Sequence, residues 1–148
     1  MPAPDPAAMH RPGTTDVLVV AGLDATDQAV ALTHTAARAA SDKLAEQIVA
    51  FDVSEQLAIT DVFLICSAPN DRQVRSIVEE VEDRLREAGA KPVRREGHRQ
   101  GRWVLLDYAA VVVHVMHSEE REFYALERLW RDCPSLTLPA DVTSGRGR

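Results

Sequence analysis

The sequence predicts an α/β fold in which a mixed β-sheet is packed with helices. Two segments, one from about Asp24 and one after Asn70, carry apolar residues at helical spacing. Short runs rich in β-branched residues lie between and after them, as is typical of buried strands. The resulting order of a helix, strands, a helix, more strands and a final helix is typical of an α/β domain with a mixed sheet.

The whole chain has the composition of one globular domain, with 148 residues of which 45% are apolar and 27% charged. We expect this domain to span residues 26–134. The ends, at 1–25 and 135–148, are rich in Pro, Gly and small residues, which predicts a disordered extension and a disordered tail. No apolar run approaches the roughly 20 residues of a membrane span, and no basic region leads into an apolar stretch at the N-terminus. We therefore expect neither membrane contact nor an export signal.

The cysteines indicate the cellular compartment of the chain, and its net charge indicates which classes of partner it can bind. Cys66 and Cys133 lie far apart and form neither a C-x-x-C pair nor a disulfide framework, which favours reduced thiols in the cytoplasm. The net charge of −6 argues against general nucleic-acid binding, because phosphates attract a positive surface. A local basic loop remains compatible with such binding.

The first predicted helix begins with Thr26 or Asp24 as its N-cap. Its apolar residues recur at every fourth position, which predicts one long amphipathic helix. These residues are Leu32, Ala36, Ala40, Leu44 and Ile48. Residues 51–53 then lead into a short strand, and the run ITDVFLIC at 59–66 is predicted to be a central, buried strand.

The second helix has the clearest pattern in the chain. Asn70 is its predicted N-cap, and Gln73 stands in capping-box position. The apolar face follows the helical repeat, with charged residues on the other faces. This face consists of Val74, Ile77, Val78, Val81 and Leu85. Gly89, with Pro92 shortly after it, is predicted to end the helix.

The remaining elements follow in quick succession. Residues 93–95 are predicted to form a short strand, followed by a polar loop and then a pair of strands within residues 103–116. A last helix begins at Ser118, whose hydroxyl can cap it. It ends at Pro134. Phe123, Leu126 and Trp130 are predicted to share one of its faces.

The pair of strands, WVLLDYAAVVVH at 103–114, has two unlike faces if Ala109-Ala110 forms a two-residue turn. One face is almost wholly apolar and should lie under the helices. It holds Val104, Leu106, Tyr108, Val111, Val113 and Val115. The other face mixes large apolar groups with an acid and an imidazole. It holds Trp103, Leu105, Asp107, Val112, His114 and Met116.

The mixed face would make a poor core, because an unpaired buried charge is costly. It would make a good interface, since interface centres favour Trp and Met and use a few polar groups to set geometry. The alternative is that another element of the same domain covers it, with Asp107 and His114 bonded to each other or to the backbone. The register is also open, because Ala disfavours the positive φ that tight hairpin turns require.

Catalytic signatures are missing from the sequence. The histidines of His114-Val115-Met116-His117 would point to opposite sides of a strand, unlike metal-binding histidines on a helix. There is no G-x-S-x-G elbow, no phosphate-binding glycine loop, and no pair of carboxylates on a predicted strand. We therefore predict no catalytic residue, no metal site and no cofactor.

One basic segment, KPVRREGHRQGR at 91–102, stands out in an otherwise acidic chain. It has five basic side chains against one acid and lies directly before Trp103. As a hypothesis, its arginines contact RNA phosphates beside the mixed face. These arginines are Arg94, Arg95, Arg99 and Arg102. The alternative is a solvated basic loop with no partner.

Three segments together resemble the ribosomal silencing factor (RsfS, Iojap) family. They are SDKLAEQIVAFDVSEQLAITDVFLICSAPNDRQVRSIVEEVEDRL, EGHRQGRWVLLDYAAVVVHVM and EREFYALERLW. The resemblance covers roughly residues 29–134, in order and without a large gap. The combination of W-V-L-L-D-Y, V-V-V-H and R-x-F-Y-x-L-E-x-L-W is specific. The chain departs from the family at the hairpin turn, which usually reads Gly-Asp and here reads Ala109-Ala110.

The resemblance implies a fold related to nucleotidyltransferases but without their catalytic carboxylates. It implies binding to the large ribosomal subunit through a ribosomal protein of the intersubunit face, the fourteenth of the large-subunit series. Such binding keeps the small subunit from joining and represses translation when nutrients are scarce. Many members of the family are homodimers when free.

The family's characteristic positions fall on a defined set of residues. They are Asp61, Arg72, Gln73, Gly97, Trp103, Leu105, Asp107, Tyr108, His114, Arg121, Tyr124, Glu127 and Trp130. Combined with the mixed face, they give a predicted partner-binding site. This site comprises Trp103, Leu105, Asp107, Tyr108, His114, Met116, Arg121 and Tyr124.

Two other functions remain open from the residues alone. One is a nucleotide-handling enzyme with unusual ligands, in which Asp61, Asp71 and Asp107 would converge on magnesium. The other is a dimeric scaffold without ribosome contact.

Overall fold

The computed structural model describes residues 25–142, which form helices packed on a five-stranded mixed sheet. The helices are α1 (Asp27–Asp42), α2 (Asp71–Glu87), α3 (Ser118–Tyr124) and α4 (Leu126–Leu129). The strands are β1 (Glu46–Asp52), β2 (Val62–Ala68), β3 (Arg94–Glu96), β4 (Trp103–Asp107) and β5 (Val111–His117). The predicted α/β class with a mixed sheet is confirmed. The strands lie in the order β1-β2-β5-β4-β3, and β2 with β5 is the parallel pair.

Helix α1 begins as predicted, since the Thr26 hydroxyl accepts a hydrogen bond from the Ala29 N–H at 3.1 Å. Its end differs from the prediction. The helix stops at Asp42, Leu44 has a φ of 63° and is 68% exposed, and Ile48 is buried on β1. The side chain of Gln73 donates to the Lys43 and Leu44 carbonyls at 3.2 Å each. The helix itself is closed by backbone bonds, since the Leu44 N–H donates to the Ser41 carbonyl at 2.9 Å and the Ala45 N–H to the Ala40 carbonyl at 3.0 Å. The four-residue apolar repeat continues past this end by coincidence.

Helix α2 confirms its predicted cap and buried face. The Asn70 side chain accepts from the Gln73 N–H at 2.8 Å, and all five predicted apolar positions are buried. The Gln73 amide does not return to the cap, because it is used on the end of α1. Gly89, with a φ of 91°, follows the helix as predicted.

The β4–β5 hairpin has the predicted register. Trp103 pairs with Met116 and Asp107 with Val112, and the Tyr108 N–H donates to the Val111 carbonyl at 2.8 Å. The turn is therefore Ala109-Ala110, with Ala109 accepting the unfavourable φ of 68°. The apolar face of the hairpin is buried in the main core with side chains of α1 and α2, as predicted.

The last predicted helix is broken in two. His117 rather than Ser118 caps α3, through its Nδ1 atom and the Glu119 N–H at 3.1 Å. Ala125 then adopts a left-handed φ of 47°, and α4 starts in a new direction. Phe123 is consequently 79% exposed, so the prediction that it shares a packed face with Leu126 is wrong.

The segment after α4 packs further than predicted. The Pro134 carbonyl accepts from the Asp52 N–H at 2.8 Å, and the Leu136 N–H donates to the Ala50 carbonyl at 2.9 Å. Leu136 is buried, and Asp141 pairs with Arg38 at 3.0 Å. The prediction that packing ends at residue 134 is wrong for residues 135–142, because these bonds cover the open edge of β1. The extension predicted at 1–25 lies outside the described residues except for Ala25, and so does the tail at 143–148.

Within residues 25–142, no helix is long and apolar enough to cross a membrane.

Candidate functional site

The sheet has one face that the long helices leave uncovered. Strand alternation places α1 and α2 on one side, and the mixed face of the hairpin on the other together with alternate residues of β2. One half of this second face is covered by the segment around α4, where Leu126 and Cys133 pack on Ile65 and Met116. The other half is not covered by any part of residues 25–142. It forms what we call the open strip, made of a groove and a row of aromatic rings.

The groove of the open strip has a volume of about 550 Å³ and a mainly apolar lining. Its floor comes from β2, β4 and β5, and its walls come from the loop before β2 and from the start of β3. The lining residues are Leu57, Ile59, Thr60, Phe63, Val93, Arg94, Leu105, Asp107, Ala109, Val112 and His114. Ile59 and Val93 are 54% and 70% exposed, which is high for such apolar side chains.

The aromatic row runs from the groove to the surface of α3. Phe63 lies edge-on to His114 with ring centroids 4.9 Å apart. His114 is followed by Trp103 at 6.1 Å, and Trp103 by Tyr124 at 5.0 Å. The exposed ring of Phe123 ends the row, 4.9 Å from Tyr124. Large aromatic surface that is partly accessible and rigidly held is the type of surface that anchors protein partners.

His114 is the buried centre of this row. It is 4% exposed, and its Nδ1 atom lies 3.1 Å from the indole Nε1 of Trp103. Burial lowers the pKa of His114 from 6.5 to about 4, because the charged imidazolium would lose its hydration. The ring is therefore neutral at physiological pH.

Asp107 closes the far end of the strip. Its carboxylate accepts from the Ala109 N–H at 2.8 Å, which holds the hairpin turn, and it lies 3.6 Å from the Arg94 guanidinium. Its side chain is only 20% exposed. The backbone bond of Asp107 agrees with one part of the alternative interpretation. The other part, that another element covers the mixed face, holds only for the half under the α4 segment.

Comparison with known proteins decides the family. The family model described as ribosomal silencing factor during starvation, RsfS, matches residues 26–147. The ribosomal silencing factor RsfS of Halalkalibacterium halodurans is 44% identical over 112 residues, which cover 76% of this chain and 96% of that protein. The protein of the same name from Bacillus subtilis is 46% identical over 103 residues, covering 70% of this chain and 87% of that one. A crystal structure of a protein from Bacillus halodurans is 42% identical with a TM-score of 0.65, covering 73% of this chain and 98% of that chain.

This chain belongs to the ribosomal silencing factor family. The resemblance drawn from the sequence is thereby confirmed. RsfS proteins are ribosome-binding silencing factors and not enzymes, and they regulate translation. The family implies binding to the large ribosomal subunit.

The RsfS fold brings together most of the predicted partner-binding residues. Trp103, Leu105 and Asp107 lie side by side on β4 in the open strip, partly exposed. Tyr124 is 49% exposed, and its ring contacts that of Trp103 at a tilt of 48°. His114 lies beneath them.

Three other predicted residues are not accessible to a partner. Tyr108 is 6% exposed on the opposite face, where burial raises the pKa of its hydroxyl to about 12. Met116 is fully buried under the α4 segment. Arg121 is 5% exposed. Direct contact of these three with a partner is incompatible with this structure, so the predicted site is corrected to exclude them.

Arg121 instead joins the C-terminal helices to the sheet. Its guanidinium donates to the Glu127 carboxylate, to the Ser67 hydroxyl at 3.2 Å and to the Glu46 carbonyl at 3.3 Å. These contacts form the floor of a polar cavity of about 450 Å³ at the carboxyl end of β2. Arg121 and Glu127 are thus structural positions of the RsfS domain, and they orient the part of the chain that carries Tyr124.

The basic segment is less positive than its sequence indicates. Arg94 pairs with Glu96 at 3.2 Å, and Arg95 pairs with Glu82 of α2 at 2.7 Å on the opposite face of β3. Arg102 pairs with two glutamates of α3 at 3.0 and 3.1 Å. Arg99 takes part in no ion pair within residues 25–142, where its side chain is exposed. The four arginines therefore do not form one uniform positive surface.

The magnesium alternative finds no support in the geometry. Asp61 accepts from the Thr26 N–H at 3.2 Å, Asp71 lies 4.0 Å from Arg102, and Asp107 faces Arg94. Across residues 25–142, no group of three or more His, Cys, Asp or Glu side chains is placed to hold a metal ion.

Sequence reasoning missed the walls of the groove. These walls include Leu57, Ile59 and Val93, although the first two precede β2 in a loop and Val93 precedes β3. The sequence predicts that Ile59 begins a buried strand, but the strand starts only at Val62. An apolar residue in a Gly- and Pro-free loop was the available signal, but a single such residue is common on protein surfaces.

Proposed function

We propose that this chain silences ribosomes by binding the large subunit through the open strip. Its target there is the ribosomal protein of the intersubunit face, the fourteenth of the large-subunit series. The bound domain blocks the small subunit sterically and represses translation under nutrient limitation. Trp103, Leu105, Asp107 and Tyr124 make the contact, with Arg94 at the rim.

The observation that carries this proposal is the uncovered half of the sheet. A family member that is not an enzyme acts by what it binds, and the open strip combines a large apolar groove with partly exposed aromatic rings. Such a surface suits a protein partner better than RNA, because phosphate contacts need unpaired positive charge. The ion pairs of Arg94, Arg95 and Arg102 remove much of that charge.

RNA contact is the secondary part of the proposal. Arg99 is the best placed of the four arginines, because it is exposed and its carbonyl, not its guanidinium, is used by Arg75 at 3.2 Å. Arg94, Arg95 and Arg102 would have to exchange their carboxylate partners for phosphates. Binding that weakens with salt, and less steeply after Arg99→Ala, would support the contact.

The remaining expectations are proposals of the same kind. The free chain forms a homodimer in the cytoplasm, and its fold is related to that of nucleotidyltransferases without their catalytic carboxylates. Sedimentation equilibrium tests the dimer, where a single species of 16.3 kDa would contradict it.

The decisive experiment is sucrose-gradient sedimentation of the purified protein with separated ribosomal subunits. The chain should migrate with the large subunit and reduce the amount of joined ribosomes. Trp103→Ala should weaken binding by roughly 2 kcal/mol, as for an aromatic anchor, without unfolding the domain. Asp107→Ala should also weaken it, because Asp107 holds the hairpin turn.

A matched control is Leu44→Ala. Leu44 is 68% exposed and lies after α1, outside the open strip, so this variant should bind like the parent chain. The proposal fails if the protein stays at the top of the gradient with every particle. Equal losses of stability and binding in Trp103→Ala would place this residue in the core rather than in the interface.

A further inference from the structure

Trp103 is the largest side chain of the open strip, and its indole N–H is already used inside the domain. An indole nitrogen can only donate a hydrogen bond. Its acceptor is the Nδ1 atom of His114, 3.1 Å away on the neighbouring strand. In the register of the hairpin, Trp103 pairs with Met116 and His114 with Leu105, so the two residues are diagonal neighbours on one face.

This bond defines the state of the imidazole. Because Nδ1 accepts, the proton of the neutral ring lies on Nε2. A charged imidazolium could not accept from the indole. Burial of His114 at 4% exposure disfavours that charged form, and it lowers the pKa of the ring to about 4. The acceptor is therefore available throughout the physiological pH range.

The indole is held from two sides. His114 fixes its N–H, while the ring of Tyr124 lies 5.0 Å from it at an interplanar angle of 48°. His114 is itself packed against the edge of Phe63 at 4.9 Å. These contacts hold the partly exposed side chain of Trp103 in one orientation. It therefore loses less conformational entropy when a partner binds.

We infer that His114 is a positioning residue for the partner site: it accepts the Trp103 indole N–H and so fixes the orientation in which the partner meets Trp103. The inference rests on the proposed function for its binding consequence. It also specifies the chemistry of the contact. With its N–H turned inward, Trp103 offers a partner its ring surface and no hydrogen-bond donor, so the complementary group on the ribosomal protein is one that packs on an aromatic ring and not a hydrogen-bond acceptor.

Two variants separate the acceptor from the ring. His114→Phe keeps a planar ring against Phe63 but removes the acceptor, and His114→Asn keeps an acceptor near the position of Nδ1 but removes the ring. The first readout needs no ribosome. It is hydrogen exchange of the Trp103 indole N–H by NMR, assigned with Trp103→Phe.

Both indole exchange and binding to the large subunit should depend on whether residue 114 carries a hydrogen-bond acceptor. We expect His114→Phe to speed indole exchange at least about tenfold and to weaken binding to the large subunit about tenfold, the equivalent of one hydrogen bond. His114→Asn should restore most of both. In a Trp103→Phe background, His114→Phe should change binding less than about twofold, because no indole N–H remains to be positioned.

Three outcomes overturn the inference. Unchanged indole exchange in His114→Phe would show that the acceptor does not hold the ring. Equal weakening of binding in both backgrounds would mean that His114 acts on the partner or on the fold directly. If His114→Phe does not fold, fast indole exchange in His114→Asn would overturn the inference in its place. A chain that never binds the large subunit refutes the proposed function, while the exchange result still decides the positioning role.

Discussion

The guanidinium of Arg121 and the carboxylate of Glu127 face each other across the break between α3 and α4, with Nη2 and Oε2 2.6 Å apart. The break itself is at Ala125, the left-handed residue between the two helices. The Arg121 side chain is 5% exposed and that of Glu127 is 35% exposed, so the guanidinium is removed from water and the carboxylate only in part. The same side chain reaches the Ser67 hydroxyl on β2, so one residue joins both short helices to the sheet.

Removing Arg121 should therefore be costly. Arg121→Met leaves the Glu127 carboxylate partly buried without its cation, and we expect the free energy of unfolding to fall by about 3 kcal/mol. Glu127→Gln keeps an acceptor for the guanidinium and should cost less, about 1 kcal/mol. Urea unfolding followed by circular dichroism measures both. A loss below about 1 kcal/mol in Arg121→Met would show that the pair behaves like an exposed one.

Local sequence signals predicted the elements whose ends and buried faces are determined by residues within the element itself. The cap and apolar face of α2 were predicted from Asn70 and a helical repeat, and both are present. The hairpin register was predicted from a supposed two-residue turn at Ala109-Ala110, and the observed pairing has that turn. A shift by one residue would have moved the apolar side chains of one strand to the other face. The mixed face was correctly located on Trp103, Leu105 and Asp107 for the same reason.

Long-range contacts decided what the sequence could not show. The carbonyls that follow α1 are satisfied by Gln73, which lies 30 residues after Lys43. Burial of Met116 and Arg121 depends on where the chain turns at Ala125, and a left-handed alanine has no local signature. Two of the eight predicted interface residues are consequently buried, and the walls of the groove come from loop residues with no pattern of their own.

Gly97 should be intolerant of any side chain. Its φ is +78°, and a Cβ atom there would lie 2.0 Å from the backbone oxygen of Trp103. We expect Gly97→Ala to lower the free energy of unfolding by roughly 3 kcal/mol, since backbone rather than a flexible side chain must move.

Gly89 provides the matched control for that change. It has a similar φ of +91°, but a Cβ atom there would meet nothing within 4 Å. Gly89→Ala should therefore cost only the left-handed strain, about 1 kcal/mol. Thermal unfolding of the two variants gives the comparison, and equal losses would contradict the steric explanation.

The hairpin turn should be improved by glycine. Ala109 is exposed and has a φ of 68°, which glycine adopts without strain, and the bond from its N–H to Asp107 survives the change. Ala109→Gly should raise the free energy of unfolding by about 0.5–1 kcal/mol. Ala110→Gly, at a position without a positive φ, should give no gain. Urea midpoints would reveal the difference, and a destabilised Ala109→Gly chain would argue against turn strain.

Residues after 134 should contribute to stability. Leu136 is 5% exposed, packs in the main core and donates its N–H to the edge strand β1. Leu136→Ala should cost about 2–3 kcal/mol, as expected for a buried leucine. Its exposed neighbour serves as control, since Thr137→Ala should change stability by less than about 0.5 kcal/mol. Similar unfolding curves for the two variants would mean that this segment is not held against β1 in solution.

The stability of the domain should fall in mild acid because of His114. Burial lowers its pKa from 6.5 to about 4, so between these values the unfolded chain binds a proton that the folded chain does not. The contribution of His114 to the free energy of unfolding is therefore constant above about pH 6.5 and is lost progressively as the pH falls toward 4. At pH 5 the loss amounts to roughly 2 kcal/mol, from 1.36 kcal/mol for each pKa unit.

The His114→Asn variant has no titrating group at this position. It therefore separates the contribution of His114 from that of the carboxylates, which also titrate in acid. The difference in unfolding free energy between pH 7.5 and pH 5.0, measured by urea denaturation, should be roughly 2 kcal/mol larger for the parent chain than for His114→Asn. All other groups are common to both chains, so they cancel in the comparison. Parallel pH profiles would mean that His114 binds a proton in the folded state as easily as in the unfolded one. Its Nδ1 would then not be a permanent acceptor for Trp103.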